Sequence, residues 1–247
     1  MEELVYWSKL ADQAGRYNDM VGYMAKVIKS VPELNQEKRN MLNTAYRNVI
    51  GVRRTAWRFL MNTEGKEDSR GNSKNAELAR AYKLKIEDEL NGLCQEALET
   101  VSEILNKKHN DSEGRVFFLK MMGDFYRYMA EYQTLGPNKQ KYGTGAADNA
   151  SRSYQEALKN SFDLETTHPV RLGLALNYAV FLYEVKELVS DANNIARQAF
   201  DSAMEDIEST NEEYKNESMA IIQLIRDNMA IWNAELKEQP TQDIDED

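Results

Sequence analysis

The sequence predicts an all-α protein, and three observations support that class. The 247 residues include only 4 Pro and 12 Gly, so signals that interrupt regular structure are few. Apolar residues recur every three or four positions along almost the whole chain, which is the spacing of one face of an α-helix. Ala, Leu, Glu, Lys, Asn and Met are abundant. A chain of this length is also long enough to bury a substantial core.

The period predicts nine helices with mostly short connections, which favour antiparallel neighbours. The first helix is expected over residues 2–14, and the second ends at Pro32, which cannot continue a helix. Asn35 is placed to cap the long third helix, whose first turn contains Glu37 near the positive helix end. Polar residues 64–75 predict a loop. The fourth helix then carries an apolar stripe that ends at Ile104.

The second half of the chain continues the pattern. Residues 110–114 break it, and Gly136 and Pro137 end the fifth helix. His168 precedes the seventh helix, with Pro169 at a tolerated first-turn position. The fifth, sixth, eighth and ninth helices are expected over residues 116–132, 146–161, 191–207 and 212–236. We expect one domain over residues 1–237, followed by a disordered acidic tail over 238–247.

Composition narrows the class of protein. The chain has 31 Lys+Arg against 41 Asp+Glu, a formal charge of −10, which argues against a nucleic-acid surface. The single cysteine, Cys94, excludes an intramolecular disulfide. No signal peptide is evident, and the longest apolar run, residues 172–185, is too short to span a bilayer. We therefore expect a soluble protein of a reducing compartment, in the cytoplasm and with the nucleus left open.

Three arginines on the third helix indicate an anion site. Arg47, Arg54 and Arg58 fall within roughly 40° of one another at about 100° per residue. An arginine fork binds a phosphate through two charge-assisted hydrogen bonds, so this row on an acidic chain predicts a local phosphate site. The opposite side of the same helix is expected to be its buried face, made of Leu42, Ala45, Val49, Val52, Ala56 and Phe59.

The fifth helix adds a second group of cations. Lys120 and Arg127 are seven residues apart and share a face, with Asp124 placed to hold either of them. Tyr128 follows and offers a hydroxyl donor. The alternative interpretation is that these are solvated charges and internal ion pairs, which is the better one for any single arginine. Two helices with such stripes favour a site.

Two further stripes leave a choice between core and binding surface. One helix carries Leu176, Asn177, Val180 and Glu184, and another carries Ile221, Leu224, Asn228 and Ile231. Such stripes are usually core, but an amide on an apolar face can hydrogen-bond an extended peptide backbone. A metal centre is disfavoured, because the chain has two histidines and a single Glu-x-x-His at Glu165 and His168. No nucleophile is paired with a base, so we expect no catalytic residue.

Four separated stretches resemble the 14-3-3 proteins in the same order. They are AYRNVIGVRRTAWR at 45–58, KMMGDFYRYMAE at 120–131, HPVRLGLALN at 168–177 and QLIRDN at 223–228. The resemblance covers essentially the whole chain. It implies nine antiparallel helices in a cup-shaped dimer with one amphipathic groove per subunit. It also implies a non-enzymatic adaptor without cofactor or metal, which binds client proteins at phosphoserine or phosphothreonine.

The resemblance also assigns residues to roles, position by position. The phosphate pocket would be Arg47, Arg54, Arg127 and Tyr128. The rest of the peptide would contact Arg58, Lys120, Leu176, Asn177, Val180, Glu184, Ile221, Leu224, Asn228, Ile231 and Trp232. The dimer interface would contain Leu10, Ala14, Arg16, Asp19, Tyr82, Lys85 and Glu89. Arg47 stands where the family usually has lysine, and Ala56 stands where it often has a serine linked to control of dimerisation.

The expected partners are phosphorylated client proteins and a second copy of the chain, with a paralogue in a heterodimer left open. Nucleic acid and membrane insertion are not expected. The runner-up function is a helical-repeat scaffold that binds unphosphorylated peptides. An enzyme of the metal-bundle type is a distant third.

Overall fold

The computed structural model describes residues 1–107, 111–135 and 143–238. Within these ranges the chain is all-α, which confirms the predicted class, and it has nine α-helices and no strand. Two short 3-10 turns cover Ser161–Asp163 and Ile207–Ser209. The helices are α1 (Glu2–Gln13), α2 (Tyr17–Ser30), α3 (Gln36–Ser69), α4 (Ser73–Leu105), α5 (Ser112–Leu135), α6 (Ala146–Asn160), α7 (Pro169–Glu184), α8 (Val189–Glu205) and α9 (Lys215–Glu238).

Contacts within the chain group into two compact units. Unit 1 consists of Met1–Gly114 with Phe125–Ala146, and unit 2 of Arg115–Asp124 with Ala147–Asp247. One domain over residues 1–237 stays a prediction. Part of the expected break at 110–114, the Gly136–Pro137 signal and the acidic tail beyond Glu238 fall outside the described residues. No described helix is both long enough and apolar enough to cross a membrane.

The central feature of unit 1 is the hairpin of α3 and α4. Its side-chain contacts run in opposite directions along the two helices. Tyr46 donates to Glu96 at 3.0 Å, the Trp57 indole donates to Glu87 at 2.8 Å, and Lys83 donates to Glu64 at 2.5 Å. Glu87 and Lys83 are buried, and each bonds to a side chain of α3: Glu87 accepts from Trp57 and Lys83 donates to Glu64. The two helices are therefore antiparallel and joined in one register by buried polar pairs.

The predicted loop over residues 64–75 is wrong. Helix α3 continues to Ser69, and only Arg70–Asn72 separate it from α4. The polar residues make hydrogen bonds within the hairpin: Glu67 accepts from the side-chain amides of Asn72 and Asn75. Gly71 adopts a φ of +75°, and the Asn72 N–H bonds to the Glu67 carbonyl at 2.9 Å. This glycine-dependent C-cap reverses the chain in three residues.

The expected buried face of α3 is only partly correct. Leu42, Ala45 and Val49 are buried, but Val52 and Phe59 are 65% and 68% exposed. Burial in the second half of α3 falls instead on Trp57 and Leu60. A helical wheel assumes one covered face along the whole length. The shorter α1 and α2 also contact this 34-residue helix, α1 near its start, where Lys9 pairs with Glu37.

Two predicted helix starts are confirmed. The Asn35 side chain accepts from the Lys38 N–H at 3.2 Å, which is an N-cap on α3. His168 caps α7 through Nδ1, which accepts from the Val170 N–H at 3.2 Å, and Pro169 occupies the first turn. In unit 2, α7, α8 and α9 all contact one another. Helix α7 therefore begins at a defined residue, which sets the positions of the polar and apolar side chains along it.

Candidate functional site

One carboxylate holds two of the three predicted arginines of α3. Arg54 Nε donates to Glu131 Oε2 at 2.8 Å, and Arg58 Nε donates to Glu131 Oε1. The Arg54 side chain is largely buried, whereas Arg58 is about half exposed. Glu131 on α5 therefore fixes both forks from the same side, and Arg58 lies at the outer end of the arrangement.

The ring of Tyr128 brings a cation of α5 to the same place. The guanidinium carbon of Arg54 lies 4.0 Å from the ring centroid, and that of Arg127 lies 4.9 Å from it. The two guanidinium carbons are thus separated by no more than those two distances combined. Tyr128 is buried. A buried aromatic face can attract both cations, so it holds them close together despite their like charge.

Arg47 differs from the other arginines. It is exposed, and it makes no ion pair with any other residue that the structure describes. It lies two turns before Arg54, about 10 Å along the axis of α3. We define the cation cluster as Arg47, Arg54, Arg58, Arg127, Tyr128 and Glu131. It contains four guanidiniums and one carboxylate, so it is strongly positive within an acidic chain.

Glu131 is not among the site residues predicted from the sequence, although its spacing from Arg127 indicates it. It follows Arg127 by four residues, so both lie on one face of α5. Its partners on α3 are 73 and 77 residues away along the chain, and no spacing rule reaches that far. The carboxylate matters chemically because an incoming anion must share or take over the hydrogen bonds that it accepts.

A second polar cluster lies within unit 2, centred on Asp124. Asp124 is buried and accepts three kinds of donor. Lys120 Nζ lies 3.1 Å from Oδ2, and the Tyr154 hydroxyl lies 2.6 Å from Oδ1. Asn177 Nδ2 lies 2.8 Å from Oδ1 and 3.0 Å from Oδ2. The predicted pairing of Lys120 with Asp124 is therefore present in the structure.

The Asp124 cluster determines which way the Asn177 amide points. An ionised carboxylate only accepts hydrogen bonds, so the amide nitrogen, not the oxygen, must face Asp124. The carbonyl oxygen of Asn177 then points away from the carboxylate on a half-buried side chain. It can accept from the N–H of an extended peptide. Nothing in the spacing of the sequence indicates that the Tyr154 hydroxyl bonds to Asp124.

Gly123 lies beside this cluster, at a position where any side chain would collide with the Tyr154 ring. A Cβ at Gly123 would lie 2.6 to 2.9 Å from three atoms of the Tyr154 ring. We expect Gly123→Ala to destabilise the protein by about 1–3 kcal/mol, since Tyr154 is fully buried and must shift. Urea unfolding measures this. The matched control is Gly173→Ala on α7, where a Cβ meets nothing within 4 Å. That variant should be neutral or more stable, by up to about 1 kcal/mol. Equal effects of the two substitutions would contradict the steric argument.

The apolar stripe of α9 is not plain core. Leu224 and Ile231 are 52% and 60% exposed, while Ile222 and Ile225 on the same helix are buried. Ile221 and Asn228, and on α7 Leu176 and Val180, are half-buried, and Glu184 is exposed. Trp232 is almost completely buried and packs on Tyr183 with ring centroids 5.4 Å apart. The stripe therefore presents apolar surface at Leu224 and Ile231, whereas Trp232 supports it from inside.

The residues assigned to a dimer interface lie at the surface of unit 1. Tyr82, Lys85, Ala14 and Arg16 are exposed, and Leu10, Asp19 and Glu89 are half-buried. Two of the charges already have partners within the chain. Arg16 Nε lies 2.5 Å from Asp19 Oδ2, and Arg53 Nε lies 3.3 Å from Glu89 Oε2. An interface with a second copy would have to add to these pairs or exchange them.

Other candidate chemistry has structural explanations. Cys94 is fully buried, and burial raises the pKa of its thiol to about 12, so it stays protonated. His168 caps α7, and Glu165 accepts from the Tyr214 hydroxyl. In the described ranges no three His, Cys, Asp or Glu side chains are grouped as a metal site.

The fold and the two polar clusters define an all-α protein that concentrates cations on an otherwise acidic chain. The family model described as "14-3-3 protein" matches residues 7–233, and the chain belongs to the 14-3-3 family. It is 42% identical to 14-3-3 protein 2 of Entamoeba histolytica over 235 residues, covering 95% of this chain and 97% of that protein. It is also 42% identical to 14-3-3-like protein 1 of Caenorhabditis elegans over 237 residues, covering 96% and 92%.

Membership of the family also establishes the general role. The chain is 43% identical to 14-3-3-like protein GF14-E of Oryza sativa subsp. japonica over 248 residues, which cover 99% of this chain and 93% of that protein. Proteins of this family are adaptors, not enzymes, and they bind client proteins. The clusters are therefore to be interpreted as binding surfaces.

Proposed function

We propose that this chain binds client proteins at segments carrying phosphoserine or phosphothreonine, with the cation cluster as the phosphate site. The observation that supports this most directly is that Arg54 and Arg127 face the same Tyr128 ring. A phosphate monoester carries about −1.5 to −2 charges at neutral pH and three acceptor oxygens. Two converging forks can donate to it bidentately, which a single surface arginine cannot do.

Glu131 prepares the cluster for such a ligand. By holding Arg54 and Arg58, it orients their forks before the ligand arrives, so less side-chain entropy is lost on binding. A phosphate has more charge than one carboxylate and can draw the same cations away from it. Arg47, exposed and without an ion pair among the described residues, adds a planar fork where the family usually has a lysine point charge.

Within unit 2, the Asp124 cluster and the α9 stripe offer peptide contacts that do not depend on phosphate. The Asn177 carbonyl is oriented by Asp124 to accept from a peptide N–H. Lys120 is held by the same carboxylate, and the exposed Leu224 and Ile231 can cover apolar side chains of a peptide. These contacts are why binding of unphosphorylated peptides is the second candidate: a surface of amides and apolar side chains would bind them.

We further propose that the protein acts as a homodimer. The support is membership of the 14-3-3 family, whose model matches residues 7–233, together with the surface position of Tyr82, Lys85 and Arg16. A dimer presents two phosphate sites. A client with two phosphorylated segments then gains affinity from the high effective concentration of the second segment.

A matched pair of peptides separates the two candidate functions. The pair shares one sequence of about a dozen residues and differs only in phosphorylation of one central serine. We expect the phosphorylated peptide to bind at least about 2 kcal/mol more tightly, roughly 30-fold, in calorimetric titration. The difference should shrink as salt is raised. Equal affinities for the two peptides would favour the phosphate-independent scaffold and overturn the proposal.

A further inference from the structure

Unit 2 contains a cavity that plays no part in the proposed function. Its volume is about 350 Å³, enough for roughly a dozen waters at about 30 Å³ each. It lies among α6, the turn Ser161–Asp163, α7 and α8. None of its lining residues belongs to the cation cluster, the Asp124 cluster or the α9 stripe. Its size is within the range of small-molecule sites, about 300–1,000 Å³.

The walls of the cavity are mostly apolar. Leu172 and Ala175 of α7 line it and are buried, and Ile195 and Ala199 of α8 line it and are half-buried. Phe162, in the short 3-10 turn, lines it with an exposed ring. This lining favours an apolar body, and the exposed aromatic ring indicates that one side of the cavity meets solvent.

One cation, Arg171, lines the same cavity. Its Nη1 donates to the Leu164 carbonyl at 2.7 Å, and its guanidinium carbon lies 5.5 Å from the centroid of the Phe162 ring. Burial lowers the pKa of Arg171, which means that desolvation of its charge is incompletely compensated. No carboxylate of the described residues lies within ion-pairing distance of it. Four of the five guanidinium N–H groups are available for another acceptor.

Asp206 modulates the charge of this site without neutralising it. Its field acts to raise the pKa of Arg171, although the two do not form an ion pair. The Asp206 carboxylate instead accepts from the Thr166 hydroxyl at 2.6 Å. One cation next to one more distant carboxylate suits a ligand with a single negative charge better than a phosphate dianion.

We infer that this cavity binds a small amphipathic carboxylate, with the carboxylate on Arg171 and the apolar body against Leu172, Ala175 and Ile195. A carboxylate offers two coplanar oxygens that match the guanidinium fork. It compensates the desolvated cation, and the apolar body removes apolar wall from water. The site shares none of its lining residues with the cation cluster.

The probe for this site is 4-phenylbutyrate, and 4-phenylbutan-1-ol is its uncharged counterpart. Saturable binding of the carboxylate is expected in protein-observed NMR, with the largest shifts on α7 and α8. The alcohol and inorganic phosphate should each bind at least about tenfold more weakly than the carboxylate. Arg171→Gln should weaken carboxylate binding about tenfold. Asp206→Asn should strengthen it about threefold, because it removes a like charge.

Two controls keep the outcome interpretable. Ala199→Leu fills the cavity from the α8 side and should abolish carboxylate binding even if Arg171→Gln folds poorly. Both cavity variants should leave phosphopeptide affinity unchanged, whereas Arg54→Ala should leave carboxylate affinity unchanged, so this inference and the proposed function fail separately. Equal binding of acid and alcohol, insensitivity to Arg171→Gln and Ala199→Leu, or no saturable binding up to about 10 mM would each overturn it.

Discussion

Arg54→Ala and Arg127→Ala are each expected to weaken phosphopeptide binding by at least about 2 kcal/mol, roughly 30-fold. Both guanidiniums face the Tyr128 ring, so each substitution removes a charge-assisted donor from the centre of the cluster. Loss of Arg54 has a second effect. Glu131 would keep only Arg58 as its partner on α3, which leaves more of its negative charge facing the phosphate.

The control for this experiment is Arg58→Ala, on the same helix and bonded to the same Glu131. Arg58 is half exposed and at the edge, so its loss should cost less than either central substitution. Fluorescence anisotropy with a labelled phosphopeptide gives all three affinities, and circular dichroism verifies the fold. Near-normal affinity of both central variants, with the helices intact, would falsify the assignment of the phosphate site.

Arg16→Glu combined with Asp19→Lys is expected to convert the proposed dimer to monomer. The two residues form an ion pair within one chain at 2.5 Å, and exchanging their charges keeps a local pair of opposite sign. By resemblance they face Glu89 and Lys85 of the second copy, where the exchange puts like charges opposite each other. Such contacts cost several kcal/mol. We expect the dimer dissociation constant to rise roughly a thousandfold.

Sedimentation equilibrium at micromolar concentration measures this prediction, and a compensating variant sharpens it. Adding Lys85→Glu and Glu89→Lys to the exchanged chain restores opposite charges across the interface, so dimer should return. The return should be partial, because Glu89 also accepts from Arg53 at 3.3 Å and that local pair is lost. A wild-type protein that is monomeric under these conditions, or an exchanged variant that stays dimeric, would contradict the proposed interface.

Local patterns in the sequence determined the helices and most of their boundaries. The cap at Asn35 and the His168–Pro169 start of α7 depend on residues within four positions, so they can be predicted without tertiary contacts. The arginine row of α3 follows from the same local period. The loop predicted at 64–75 was wrong because the local polar composition does not reveal the bonds that Glu64 and Glu67 make within the hairpin. Their partners, Lys83, Asn72 and Asn75, belong to the turn or to the next helix.

Tertiary structure alone decided how the cations are used. Arg54 meets Glu131 77 residues later, and Asn177 meets Asp124 53 residues earlier, and no periodicity relates positions so far apart. The same holds for burial. Val52 and Phe59 belong to an apolar stripe in sequence, yet they are exposed because no helix of the described chain covers that side of α3. The sequence by itself therefore determined which residues share a helix face, since that depends on the helical repeat. Which faces are covered, and which charges are paired, depends on packing between distant segments, and only the folded chain decides it.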